Sequence, residues 1–120
     1  MAAGQPKRTF HHIGLTSTEP QPGEDWVAPS KCWVTDPRKG AMPIEWLRYA
    51  EDSPIPDDFR ASPHVAYAVD ELGPHIQDKD IYLPPFEVGE PPFATVAFTR
   101  EDGLIVEYME FKPGRSWFND

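Results

Sequence analysis

Two histidines and two glutamates recur at matching places in two segments of this sequence. His12 enters the apolar run that opens the first segment, and Glu45 lies within the apolar run that closes it. His64 and Glu107 hold the same places in the second segment. Imidazole nitrogens and carboxylate oxygens suit divalent zinc, iron, nickel, cobalt or manganese. The repeat therefore predicts a pseudo-symmetric site for one divalent metal ion, whose identity these ligand types leave open.

Each of these four residues has an alternative interpretation. A single histidine at the start of a strand is usually an ordinary half-buried side chain, but the repeated His and Glu pair favours a metal site. His11 is the neighbouring alternative to His12 and, one residue away along a strand, should point to the opposite face. Alternation places Glu45 on the same face as Leu47, where an unpaired carboxylate is costly to bury. The same argument applies to Glu107, and an ion pair with an arginine is the alternative to a metal for Glu45.

Length and charge limit the functional classes. The chain has 120 residues, 11 basic and 20 acidic, with a formal net charge of -9. This length favours a single small domain that would gain from homodimerisation. The acidic balance argues against nucleic-acid binding. We expect no membrane span or signal peptide, and the single cysteine, Cys32, fits a reducing, cytoplasmic compartment as a core thiol.

The elements that position the four residues are mostly strands, because the 15 prolines crowd into connecting segments. Loops are expected at 18–29 and 51–63, a hairpin turn at 100–103, and one short helix after Asp70, its predicted N-cap, ending near Asp78. The strands are predicted at 10–16, 31–35, 43–50, 63–69, 81–88, 94–99 and 104–111, with 81–88 at an edge or bulged because of Pro84 and Pro85.

The chain ends and several charged residues carry weaker expectations. Residues 1–8 should be disordered, and Trp117 and Phe118 in the tail 113–120 should pack against something, a partner subunit being one option. His75 and Glu110 are expected at the surface. Arg48 and Arg60 could hold a substrate carboxylate, although exposed charge is the default for both. The list of catalytic and ligand candidates therefore remains His12, Glu45, His64 and Glu107.

The chain resembles the vicinal oxygen chelate superfamily, which includes glyoxalase I, bleomycin-resistance proteins, methylmalonyl-CoA epimerases and extradiol dioxygenases. The motifs that carry this resemblance are FHHIGL at 10–15, HVAYAVDEL at 64–72 and DGLIVEY at 102–108. The likeness covers roughly residues 9–112 as one domain. It implies an α+β fold in which two βαβββ-like units form an open, U-shaped mixed sheet around a metal cleft. The first unit departs from the family pattern, since a proline-rich loop with Trp26 replaces most of its helix, and a dimer contact could cover the gap.

The resemblance also implies a function. It assigns His12, Glu45, His64 and Glu107 as metal ligands, with Glu45 or Glu107 shuttling a proton in a glyoxalase-like or epimerase-like isomerase or lyase. The substrate would be a small molecule with two vicinal oxygens. Two alternatives stay open: an Fe(II) extradiol-type dioxygenase that uses His12, His64 and Glu107 only, and a non-catalytic antibiotic-binding protein of the bleomycin-resistance kind.

Overall fold

A computed structural model describes residues 7–118, which form a mostly-sheet α+β fold with few helices, as the sequence predicts. Within this range the strands join in one curled, mixed, eight-stranded sheet. The strands are β1 Arg8–Thr16, β2 Asp25–Val27, β3 Cys32–Val34, β4 Ile44–Tyr49, β5 His64–Val69, β6 Asp80–Val88, β7 Ala94–Glu101 and β8 Leu104–Phe111. Two single-turn helices, α1 Asp57–Arg60 and α2 Gly73–Ile76, lie in the connections on either side of β5.

The order of strands across the sheet is β2-β3-β4-β1-β5-β8-β7-β6. The first four strands of the chain therefore occupy one half and the last four occupy the other. The two halves meet where β1 and β5 pair antiparallel, and each of these strands is flanked on its other side by a parallel partner, β4 or β8. The four central strands are thus the ones that carry the predicted histidines and glutamates.

Most of the core lies on one side of the sheet. Apolar side chains from both halves, including Val34, Leu47, Phe98 and Met109, form one buried cluster there. A smaller cluster around Val106 and the neighbouring Tyr108 packs with residues next to α2. Because successive side chains of a strand alternate between faces, the glutamate that precedes Tyr108 faces the larger cluster.

Proline and turn residues act as their chemistry predicts. β6, with Pro84 and Pro85, is an edge strand whose pairing with β7 shifts register twice, as expected for a strand that lacks two backbone donors. Asp102 and Gly103 both have positive φ in the β7–β8 hairpin. Two successive positive φ angles are typical of the tight turn that an Asp-Gly pair favours.

Four local predictions were wrong. The predicted loop 18–29 contains β2, which pairs with β3, and the predicted loop 51–63 contains α1. The helix after β5 has Leu72, not Asp70, as its N-cap, and ends at Ile76. β1 begins at Arg8, inside the segment predicted to be disordered; residues 1–6 of that segment lie outside the described residues. Among residues 7–118, no helix is long and apolar enough to cross a membrane.

The tail packs on its own chain. Trp117 is buried, and its ring lies 5.2 Å from that of Phe93, while Phe118 contacts both rings. The option that this tail packs on a partner subunit is therefore not needed to explain its aromatic residues. Aromatic rings at these separations stabilise a core in addition to the apolar area that they bury.

Candidate metal centre

The sheet brings the four predicted residues together in two rows that run across the strands. In one row, Gly14 of β1 pairs with Glu45 of β4 on one side and with His64 of β5 on the other. In the next row, Ala66 of β5 pairs with His12 of β1 and with Glu107 of β8. Each histidine is therefore separated from the glutamate of its own row by one small residue, and the two rows are related by an exchange of β1 with β5.

These small residues explain how four large side chains fit one place on the sheet. A Cβ atom built on Gly14 would lie 2.0 Å from Cε1 of His64, so the imidazole occupies the space above this glycine. Ala66, at the corresponding position of the second row, is fully buried. This role was not predicted, although the sequence carries a signal for it: a small residue follows two positions after His12 and two positions after His64.

The geometry of the cluster fits a metal site. One potential ligand atom from each of His12, Glu45, His64 and Glu107 lies within 4.8 Å of all the others. Nε2 of His12 lies 3.2 Å from Oε1 of Glu45 and 3.4 Å from Oε1 of Glu107. Nε2 of His64 lies 3.6 Å from Oε1 of Glu45 and 3.1 Å from Oε1 of Glu107. Ligands about 2.1 Å from a shared ion at a tetrahedral angle are about 3.4 Å apart.

Unsatisfied polar atoms support the same interpretation. All four side chains are buried, with His12 at 0% exposure. Among the described residues, Nε2 of His12, Nε2 of His64 and Oε1 of Glu107 nevertheless find no partner in hydrogen-bond geometry. Buried polar atoms that face each other without such geometry are costly, whereas a cation bound between them would satisfy all of them. The residues present thus fit a divalent metal ion.

Without a metal, attraction between the charged histidines and glutamates stabilises the cluster. Burial lowers the pKa of His12 and of His64, but the carboxylates of Glu45 and Glu107 outweigh burial and raise both values. Burial likewise raises the pKa of each carboxyl, but the histidines outweigh it and lower both values. Two imidazolium and two carboxylate groups then balance in charge. A divalent cation would replace the histidine protons and release them on binding.

His11 lies on the same side as His12, so the prediction that it points to the opposite face was wrong. The pairing of β1 with β5 skips His11, which is the extra residue of a β-bulge. Its ring stacks on Trp117 and contacts Phe111 at a tilt of 40°, and its Nδ1 lies 2.7 Å from Nδ1 of His12. Burial and the neighbouring His12 lower the pKa of His11, which keeps it neutral and able to accept a hydrogen bond from the imidazole beside it.

A cavity of about 50 Å³ adjoins the two carboxylates. Glu45 and Glu107 both line it, whereas His12 and His64 do not. Most of the wall is apolar and aromatic, contributed by both halves of the sheet and by the tail. It includes Phe59, Phe86, Phe93, Phe98, Met109 and Trp117. The carboxylates therefore stand between the histidines and the space where a small molecule could bind.

The other candidates from the sequence are not part of this site. Arg48 forms an ion pair of 2.7 Å with Glu24 and stacks on Trp33, and Arg60 is paired with Asp57. Both arginines line an open groove instead of the cavity. Each arginine is therefore already paired with a carboxylate of this chain.

Three further residues complete the comparison with the sequence. Cys32 is 1% exposed, and burial raises its pKa far above its usual range, which confirms a core thiol. His75 is buried with its ring 5.3 Å from that of Tyr108, so its predicted surface position was wrong. Glu110 is half-buried, not exposed, and accepts a hydrogen bond of 2.8 Å from the backbone N–H of Leu72.

Comparison with known proteins supports the fold alone. A hypothetical protein from Bacillus halodurans, known from its crystal structure, superposes with a TM-score of 0.68 at 21% sequence identity. The alignment covers 92% of this chain and 99% of that one. No protein-family profile and no curated protein matches the sequence. The curled mixed sheet and its candidate metal centre are consistent with a vicinal-oxygen-chelate-like fold.

Proposed function

We propose that this protein is a metal-dependent enzyme of the glyoxalase or epimerase type, built from the two-unit fold of the vicinal oxygen chelate superfamily. Its substrate would be a small molecule with two adjacent oxygens, and its reaction an isomerisation or a lyase step initiated by proton transfer. The strand order supports two related units, because β2-β3-β4-β1 is mirrored by β6-β7-β8-β5 across the β1–β5 pair.

The observation that carries the proposal is the position of the carboxylates. Glu45 and Glu107 each contact both histidines and also line the cavity. A group that only completes a structural metal site needs no open space beside it. Carboxylates that face both a candidate cation and a cavity are placed to exchange protons with a molecule bound there.

The residues of the candidate metal centre and of the cavity would have different roles in this reaction. His12, Glu45, His64 and Glu107 would hold one divalent cation, which when bound would supply Lewis-acid polarisation of the substrate oxygens. Glu45 or Glu107 would take a proton from the carbon next to a polarised carbonyl and return it to the neighbouring carbon or oxygen. In the metal-free protein the histidines lower the pKa of both carboxyls. A bound cation would replace the histidine protons and would itself keep each carboxylate ionised near neutral pH and able to accept this proton. The apolar walls would exclude water from the carboxylates during the transfer.

The dioxygenase alternative differs in the role of Glu45, which would be a spectator. Glu45 is as close to the histidines as Glu107 is, with shortest distances of 3.2 and 3.1 Å respectively. This equality favours the arrangement with both glutamates engaged. A Glu45→Gln variant separates the two functions, because it removes a base in the first and leaves the three remaining ligands of the second intact.

The decisive experiment is elemental analysis of the purified protein beside a His64→Ala variant, before and after reconstitution with zinc, nickel, cobalt, manganese and iron(II). We expect about one divalent metal per chain, bound at least 10²-fold more weakly by the variant, since loss of one ligand removes about a quarter of the binding free energy. Absence of metal under all conditions would contradict both enzyme functions and leave the non-catalytic small-molecule binder.

The proposed partner is a small molecule. Association into a homodimer stays a prediction from chain length, and light scattering at several concentrations would test it. A mass of one chain at all concentrations would contradict this part of the proposal without affecting the metal centre.

A further inference from the structure

We propose that the cavity selects a small, neutral molecule with an apolar end, whose oxygens point to Glu45 and Glu107, and that it rejects ligands with an anionic tail. This inference rests on the proposed function only in placing the ligand oxygens beside a metal. The selection itself follows from the walls of the cavity.

The cavity offers no positive charge to a ligand. Among residues 7–118, no lysine or arginine lines it, and its ionisable acids are Glu45 and Glu107. Burial strongly raises the pKa of Tyr49, another lining residue, so its hydroxyl stays neutral. A carboxylate, phosphate or sulfate that entered the apolar part would lose its hydration without finding a cation, which is unfavourable.

The polar groups that remain suit a neutral molecule. Within residues 7–118, the buried indole N–H of Trp117, one of the residues that line the cavity, has no hydrogen-bond partner. A buried donor of this kind is satisfied by a carbonyl, ether or hydroxyl oxygen. The aromatic side chains Phe59, Phe93 and Phe98 offer ring faces and edges, which pack well against a planar ligand.

The volume of the cavity limits the part of a ligand that it can enclose. An engineered apolar cavity of about 150 Å³ holds a benzene ring, whereas this cavity has a volume of about 50 Å³. It would therefore enclose only the far edge of a ring and one small substituent, with the ring oxygens beside the carboxylates. A charged arm longer than this would have to stay outside.

A matched pair of probes tests this selection. The pair is 4-methylcatechol and 3,4-dihydroxybenzoate, which share two vicinal oxygens and differ in a methyl or carboxylate group at the far end of the ring. Binding is measured by calorimetry and by the shift in melting temperature, with the protein first free of metal and then loaded with redox-inert zinc. We expect the neutral probe to bind at least about tenfold more tightly in both forms, because an unpaired buried charge costs at least one decade in affinity.

Two variants of the edge strand β6 provide the control. Leu83→Lys places a cation at a half-buried lining position, whereas Ile81→Lys adds the same charge at an exposed residue two positions away that does not line the cavity. Leu83→Lys should increase the affinity for 3,4-dihydroxybenzoate by about tenfold, and Ile81→Lys should leave the preference for the neutral probe unchanged. If Leu83→Lys does not fold, the wild-type pair of probes still decides the question.

The outcomes separate this inference from the proposed function. Equal binding of both probes, tighter binding of the carboxylate, or no binding of 4-methylcatechol in either form would overturn the ligand class. Protein that takes up zinc but prefers the anionic probe would leave the metal centre intact and refute only the selection. Protein that takes up no metal but is stabilised by 4-methylcatechol alone would refute the proposed enzyme and support the neutral ligand class.

Discussion

Gly14→Ala should disable the metal centre although Gly14 offers no ligand. The added Cβ would lie 2.0 Å from Cε1 of His64 and 2.4 Å from both ring nitrogens. Carbon atoms in favourable contact are about 3.5–4.0 Å apart, so the imidazole must move by about 1.5 Å. Metal ligands tolerate displacements of only about 0.2 Å, and the ring would therefore leave the cluster.

The expected magnitude follows from the number of ligands. Structural zinc sites contribute about 10–16 kcal/mol of binding free energy, or about 2.5–4 kcal/mol for each of four ligands. Losing His64 through Gly14→Ala should thus weaken zinc binding by about 10²- to 10³-fold. The metal-free variant should also lose about 1–3 kcal/mol of unfolding free energy, as expected for an overpacked site.

Zinc competition with a chelator of known affinity and urea denaturation measure these two quantities. Gly73→Ala is the matched control and should leave zinc affinity unchanged, because a Cβ there meets no heavy atom of residues 7–118 within 4 Å beyond its chain neighbours and its own helix backbone. In a His64→Ala background, Gly14→Ala should cost almost nothing, since the ring that it displaces is gone. Zinc affinity of Gly14→Ala within threefold of wild type, or an equal cost in both backgrounds, would refute this reasoning.

Three further predictions concern the surroundings of the cluster. His11→Phe keeps a ring against its aromatic neighbours but removes the 2.7 Å contact to His12; zinc affinity should fall by about 10- to 100-fold in the same chelator assay, and an unchanged affinity would exclude an orienting role. The metal-free protein should lose stability as pH falls from 4.5 towards the folded pKa of Glu107, about 2, and also as pH rises from 6.5 through the folded pKa of His12, about 10. Urea denaturation across this pH range tests both limits. Zinc binding should also release protons near pH 7, which calorimetry in buffers of different ionisation enthalpy would detect. Tyr108→Phe removes a hydrogen bond of 2.6 Å to the carboxylate of Glu101; it should cost about 1–3 kcal/mol of unfolding free energy without changing zinc affinity, and a change in affinity would show that the two faces of the sheet are coupled.

Local patterns in the sequence predicted the features that depend on neighbouring residues. Alternation placed Glu45 and Leu47 on one buried face, and both side chains are buried there. Pro84 and Pro85 predicted an edge strand with irregular pairing, which β6 is. Such features follow from the backbone preferences of a few consecutive residues, and a single sequence contains all the information that they need.

Features that depend on pairing between distant strands were not predictable in this way. The bulge at His11 arises because β1 must pair with β5, more than fifty residues away in the chain, and one extra residue turns that side chain to the unexpected face. His75 is buried because α2 lies close to Tyr108 on β8. Nothing within the local sequence of either histidine indicates these distant neighbours.

The sequence by itself determined which side chains are available for a site: two histidines and two glutamates repeated in two strand-rich segments. The tertiary structure decided their arrangement in space. The register of β1 with β4 and β5, and of β5 with β8, sets Gly14 and Ala66 between the ligand pairs and brings four atoms within 4.8 Å. The same packing lines the cavity beside them with no lysine or arginine from the described part of the chain. A one-residue shift of any of these pairings would turn side chains to the other face, so the site exists only because the packing of the whole sheet selects one register.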